Sequence, residues 1–342
     1  MNRLAGFVLM AFALASVLVF PHGESSAQGK YVIKIAHNQP ADPKEAGPHA
    51  GALAFKDAVE KATNGQVEVQ VYHSGQLGDQ RVMLESIQMG TLEASAVGDA
   101  VLVNFFPPVG VIGIPYLFKD SATAWKVLDG KFGQDLSKAL VEKTGIRILA
   151  YGENGFRHFT NSKREIRRPA DMKGLKLRVQ ENPSHIQMVS ALGGIPVPMA
   201  WTEVYTSLQQ GVLDGQENPL SVIVVSKLWE VQKYLILDSH LWAATLLVMN
   251  EKQFQAYPEN VRTAILNAVP KYNESVRAVT TRIAREGVSI LQSKGMKVYQ
   301  PTDADLQDFK AVAQKPAVDS IRSQVPQEWI DRAIAAAAEA QK

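Results

Sequence analysis

Beyond residue 30 the apolar positions switch period repeatedly. Tyr31–Ala36 is a short β-branched run, and residues 44–63 set Leu53, Phe55, Ala58, Val59 and Ala62 at helical spacing. After the turn Asn64-Gly65, Val67, Val69 and Val71 alternate as in a strand. The pattern then predicts a helix over Gln80–Met89 stopped by Gly90, a buried strand over 92–97, a helix over 122–143 and a strand over 146–151. This alternation predicts an α/β chain whose mostly parallel sheets are covered by helices.

Around Gly152 and Gly155 the character changes, and the glycines mark a crossing into a second α/β domain. Residues 243–249 form another apolar strand, which can return to the first. From 261 to 294, Val261, Ile265, Val269, Tyr272, Val276, Val279, Ile283 and Leu291 follow steps of three and four, the stripe of one long helix ending at Gly295. Such a helix reaches about 50 Å, enough to brace both lobes. Pro270 inside it is expected to kink or split it. The tail, 303–342, reads as helical and Ala-rich.

The first 27 residues carry Arg3, an apolar run from Phe7 to Phe20 and the small residues Ser25-Ser26-Ala27, which predicts an export signal cleaved near Ala27-Gln28 and a periplasmic product. The run is too short to span a bilayer. Net charge is +2, with no basic stripe of the kind that grips nucleic acid. The absence of cysteine removes thiolate catalysis, disulfides and Cys-ligated metals. No GxSxG elbow, phosphate loop or GxGxxG follows a strand, and the spacings of His37, His49 and His73 match no metal site. No enzyme, cofactor or metal is expected.

The most informative stretch is PMAWTEVYTSLQQGVLDGQENPL, residues 198–220. It predicts an amphipathic helix stopped at Gly211, then an unusually polar end, Gln216-Glu217-Asn218-Pro219. Before it lies LKLRVQ, whose Arg178 sits in a strand suited to burial. A buried guanidinium needs an anion. Either an internal acid (Asp171, Glu181 or Glu217) supplies it, or a ligand carboxylate does, matching the planar fork. Arg157, between Phe156 and Phe159, is a second candidate, either for carboxylate or hydroxyl recognition or for a purely structural contact. Asn218 is either a ligand contact or a turn initiator before Pro219.

Several segments taken in order are similar to the solute-binding proteins of tripartite ATP-independent periplasmic (TRAP) transporters, the DctP-like family. They are SGQLGDQR (74–81), IPYLF (114–118), NGFRHFTNS (154–162), DMKGLKLRVQ (171–180), PMAWTEVY, DGQENPL and WEVQKYL (229–235). The resemblance implies a two-lobed periplasmic binding protein (type II-like), each lobe a mixed β-sheet flanked by helices. Lobe I is expected over 28–153 plus about 244–283, and lobe II over 154–243 plus about 284–342. It implies a carboxylate clamp at Arg178 aided by Arg157 and Asn218, with Trp201 packed on the ligand body. Asn38 and His37 would face the cleft from the other lobe. The chain departs from sialic-acid-binding members at AVGDAV, with Gly98 where they carry Glu and Asp99 beside it. The expected ligand is therefore a C4-dicarboxylate or a sugar acid, for whose hydroxyls His37, Asn38, His73, Asp99 and Glu181 offer partners. The implied partners are the small and large permease subunits of a TRAP transporter. The alternative is a receptor serving an ATP-driven transporter or a sensor kinase.

Overall fold

The computed structural model describes residues 30–342, so the expected export signal lies outside the described residues. Ten strands form one mixed sheet: β1 (Tyr31–Ala36), β2 (Val67–Tyr72), β3 (Ala94–Gly98), β4 (Ile146–Asn161), β5 (Lys176–Val179), β6 (Ile195–Pro198), β7 (Gly215–Pro219), β8 (Tyr234–Ile236), β9 (Leu241–Asn250) and β10 (Lys297–Tyr299). The order is β2-β1-β3-β9-β4-β7-β5-β6, with β8 on β4 and β10 on β8. The β1–β2, β1–β3, β5–β6 and β5–β7 pairs are parallel, as βαβ crossovers require. The antiparallel pairs β3–β9, β4–β9 and β4–β7 knit the two parallel sets into one body.

Long strands make that join. Sequence patterning ended a strand at 151 and placed a crossing at 152–155, but β4 runs unbroken for 16 residues. Its register shifts between Ile148 and Ala150 and between Glu153 and Gly155 against β9. Gly155 has φ +116°, a conformation open to glycine and costly for other residues. A bulge lets a strand bend while keeping its ladder, so the crossing needs no loop.

Among the described residues four apolar clusters fill the lobes. One packs β1, β2 and the helix Gly47–Ala62 against the first half of the long helix; another gathers Met83, Leu84, Ile87, Leu136 and Leu140 on the sheet's other face. The remaining two surround β5 (Leu177, Val179) and the stretch from Val204 to Leu228. The long helix, Glu259–Ser293, is continuous through Pro270 and is 35 residues long, about 52 Å. Val261, Ile265, Tyr272 and Val276 bury in the first lobe, while Ile283 and Leu291 bury in the second. The helix Gly47–Ala62 packs so closely on it that a Cβ at Gly51 would lie 2.5 Å from Val276 Cγ2. Pro270 costs the helix one backbone bond, and packing on both sides holds it in one piece.

The tail differs from the expected assignment of 284–342 to one lobe. Helix Asp303–Ile321 packs Phe309, Ala313 and Ala317 into the second lobe. Helix Gln327–Ala340 returns, placing Ile330, Ala333 and Ala337 in the first lobe's core with Ala124 and Leu128. Its apolar positions recur every three to four residues, and this seam faces the helix Ser121–Asp129.

Candidate functional site

A cavity of about 40 Å³ lies where the lobes meet. Asn38, Gln39, Pro48, Gln80, Ala96, Val97 and Gly98 line it from the first lobe, and Arg178, Gln180, Trp201, Asn218 and Val222 from the second. Asn154, Arg157 and Thr245, on the strands that cross between lobes, complete it. An adjoining space of about 30 Å³ adds Arg81, Glu181 and Met199. Across this mouth Asn104 Nδ2 donates to Glu181 O at 2.9 Å, and Arg81 Nη1 stands 4.0 Å from Glu181 Oε2. Two larger grooves, about 920 and 1080 Å³, open on outer faces beside Pro270 and beside Tyr116. Neither contains Arg178, and the interlobe cavity is small because the lobes touch over it.

Arg178 stands on β5 between β6 and β7, only 3% exposed. Its Nε and Nη2 donate to Met199 O at 3.0 and 2.8 Å, which fixes one edge of the guanidinium. The planar group lies 5.7 Å from the centre of the Trp201 ring. Among the described residues no carboxylate approaches it within 4.0 Å, so three N–H donors remain uncommitted at the cavity wall. Burial lowers its pKa to about 10, the signature of a cation short of compensation.

Arg157 has the opposite environment. It forks onto Glu217 through Nε to Oε2 and Nη2 to Oε1 (2.8 Å), with Nη2 also on Glu217 O at 2.5 Å. Glu217 Oε2 further accepts from His240 Nε2 at 3.1 Å, and His240 Nδ1 meets Asp238 Oδ2 at 2.8 Å. Burial opposes charge on His240, yet Asp238 and Glu217 raise its pKa to about 9. Burial likewise opposes charge on Glu217, but Arg157 and His240 hold its carboxylate far below the usual range. Arg157 thus reaches the cavity with its charge already neutralised, the structural, internal-acid alternative of those its sequence left open.

Of the remaining expected residues, Asn38, Trp201 and Asn218 line the cavity, and Asn218 Nδ2 donates to Gln216 Oε1 at 2.5 Å. Glu181 lines only the mouth. Three expected cleft groups sit outside the wall. His37 is buried against the helix Gly47–Ala62, its Nε2 3.1 Å from His49 Nδ1, and burial, with His49 and His73 beside it, lowers its pKa to about 3. His73 turns to Ser74 Oγ at 3.0 Å. Asp99 opens the short helix Asp99–Leu102 and turns toward β9, where Oδ1 accepts from Ala244 N at 3.2 Å. Gln39, Gln80, Gln180, Asn154 and Thr245 line the cavity without a sequence signal, because neutral polar residues occur on every surface.

Burial raises the Asp99 pKa from 3.8 to about 7. The folded state therefore holds this proton more tightly than the unfolded chain. Its contribution is complete below the unfolded value and is lost as pH rises through the folded one. Asp99→Asn keeps the acceptor for Ala244 N and removes the titration. Its melting temperature minus that of wild type should increase from pH 4 to pH 8 by calorimetry; a constant difference would show that Asp99 ionises normally.

A buried cation with spare donors, amides opposite it and two lobes touching over it define a receptor for an anionic solute. The chain belongs to the family of bacterial extracellular solute-binding proteins, family 7 (DctP), which it matches over residues 38–324. It is 41% identical to a solute-binding protein of Verminephrobacter eiseniae over 249 residues, 73% of this chain and 74% of that one. It is 30% identical to the C4-dicarboxylate-binding periplasmic protein DctP of Rhodobacter capsulatus over 343 residues, 99% of each. The crystal structure of a TRAP periplasmic solute-binding protein from Polaromonas sp. JS666 bound to D-erythronate superposes with a TM-score of 0.83 at 36% identity, covering 90% of this chain and 99% of that one. The fold is accordingly the two-lobed fold of TRAP solute-binding proteins.

Proposed function

We propose that the chain acts in the periplasm, closes over an organic acid whose carboxylate docks on Arg178, and passes it unchanged to the small and large permease subunits of a TRAP transporter. The observation that carries this reading is the buried Arg178 guanidinium, which among the described residues has no carboxylate within 4.0 Å. Its spare edge matches a carboxylate, and hydrogen bonds between charged groups strengthen where water is excluded. Asn218 assists from the same wall and Trp201 covers the ligand body. Contacts to both lobes favour the closed form by their differential affinity.

The ligand class is a C4-dicarboxylate or a sugar acid. A thermal-shift panel of dicarboxylates, uronates, aldonates and keto acids should contain at least one acid that raises the melting temperature. Saturation at a hundredfold over Kd adds about 2.7 kcal/mol by mass action. Mass spectrometry should recover that acid chemically unaltered. A panel without any shift, or turnover of the bound acid, would defeat the proposal.

A further inference from the structure

Resting on the carboxylate-receptor reading above, we infer that this cavity selects acids with one carboxylate and several hydroxyls and discriminates against dicarboxylates, with Gln39 and Gln180 as specificity-determining residues. The first support is a charge count. Among the described residues, Arg157 and Arg178 are the only ionisable side chains on the wall of this cavity, while Asp79, Arg81 and Glu181 line the adjoining space at its mouth. Arg157 is neutralised by the forked carboxylate of Glu217, leaving Arg178 as the one uncompensated charge. One guanidinium balances one carboxylate. A second carboxylate would be buried against Ala96, Val97, Gly98 and neutral amides with no further cation on this wall to balance it.

The second support is the kind of hydrogen-bonding group left over. Gln39 and Gln180 are 8% and 9% exposed, one on each lobe, and the amide oxygen of each is buried without a partner. Both side chains line the cavity. A buried acceptor without a donor costs free energy until one arrives. A hydroxyl supplies that donor, whereas a carboxylate presents only lone pairs and would meet the amide oxygens with like charge. By contrast, Gln80 Oε1 already accepts from Gly98 N at 2.8 Å, so this amide serves the wall itself. The requirement falls on Gln39 and Gln180. Sites built to hydrogen-bond a ligand hydroxyl reject analogues lacking it far more strongly than apolar pockets reject a missing methylene.

The test is calorimetric titration of acids matched in length: D-erythronate, succinate and butyrate at four carbons, L-galactonate and adipate at six. The hydroxy acid of at least one set should bind roughly a hundredfold more tightly than its dicarboxylate, with butyrate weaker than D-erythronate. Gln39→Leu and Gln180→Leu should each weaken the hydroxy acid at least about tenfold, with the unliganded melting temperature unchanged or raised. A dicarboxylate that binds as tightly as its hydroxy counterpart, or amide variants that retain full affinity, would overturn the inference and leave the receptor reading standing. If none of the five acids binds, the inference falls, and the receptor reading is decided by the wider thermal-shift panel.

Discussion

Arg178→Ala should weaken binding of whichever acid the wild-type protein holds by at least about thirtyfold. Removing one partner of a buried, hydrogen-bonded charge pair costs about 2–5 kcal/mol, a loss of roughly thirtyfold to several thousandfold in Kd. Arg178→Lys should fall between, since an ammonium keeps the charge but loses the planar edge. Stability provides an independent control. In the unliganded protein Arg178 is buried without an acid, so its removal deletes a desolvated charge while Met199 O loses its donor. These changes oppose each other, and the unliganded variant should stay within about 1 kcal/mol of wild type. Titration calorimetry and thermal melts on the same preparations separate the two effects. Unchanged affinity would show that the carboxylate docks elsewhere.

Much of the fold was legible because the periods are clean. Period two in Val67, Val69 and Val71 and the three-to-four stripe from Val261 to Leu291 correspond to β2 and the long helix. Misreadings arose where local and long-range preferences diverge. Glycines at 152 and 155 suggest a break locally, yet β9 pairs with both flanks and pulls the segment into one strand. The tail reads as helical and Ala-rich, but the sequence shows no clear apolar seam and nothing local says which lobe the helix Gln327–Ala340 covers.

The site was legible to a different degree. Arg178 was visible because a cation inside an apolar strand violates the burial pattern and calls for an anion. The same logic applied to Arg157, and sequence alone could not tell which arginine owns the internal acid. That decision rests on register: β4 pairs antiparallel with β7, setting Arg157 opposite Pro219 and within reach of Glu217, while Arg178 sits opposite Gln216 on the parallel β5–β7 pair. His240 and Asp238 complete the pairing from the segment before β9, some twenty residues beyond Glu217. Short polar motifs therefore point to β4, β5 and β7, and strand pairing decides which arginine meets Glu217.

Glu217→Gln tests that assignment from the other side. The carboxylate balances Arg157 and the His240 imidazolium in a fully buried setting, where neither cation can recruit water. Removing its charge leaves Arg157 uncompensated and should cost about 3–5 kcal/mol of stability, read as a lower melting temperature and an earlier denaturant midpoint. His240 should then release its proton more readily, because only Asp238 still favours its charge. For ligands the expected consequence runs opposite to that of Arg178→Ala. The cavity would carry two uncompensated guanidinium groups in place of one, so succinate should gain affinity relative to D-erythronate. If the variant is as stable as wild type, the Arg157–Glu217 pair is not what neutralises this wall. If it is destabilised while its preference between the two acids stays fixed, charge count does not set selectivity here.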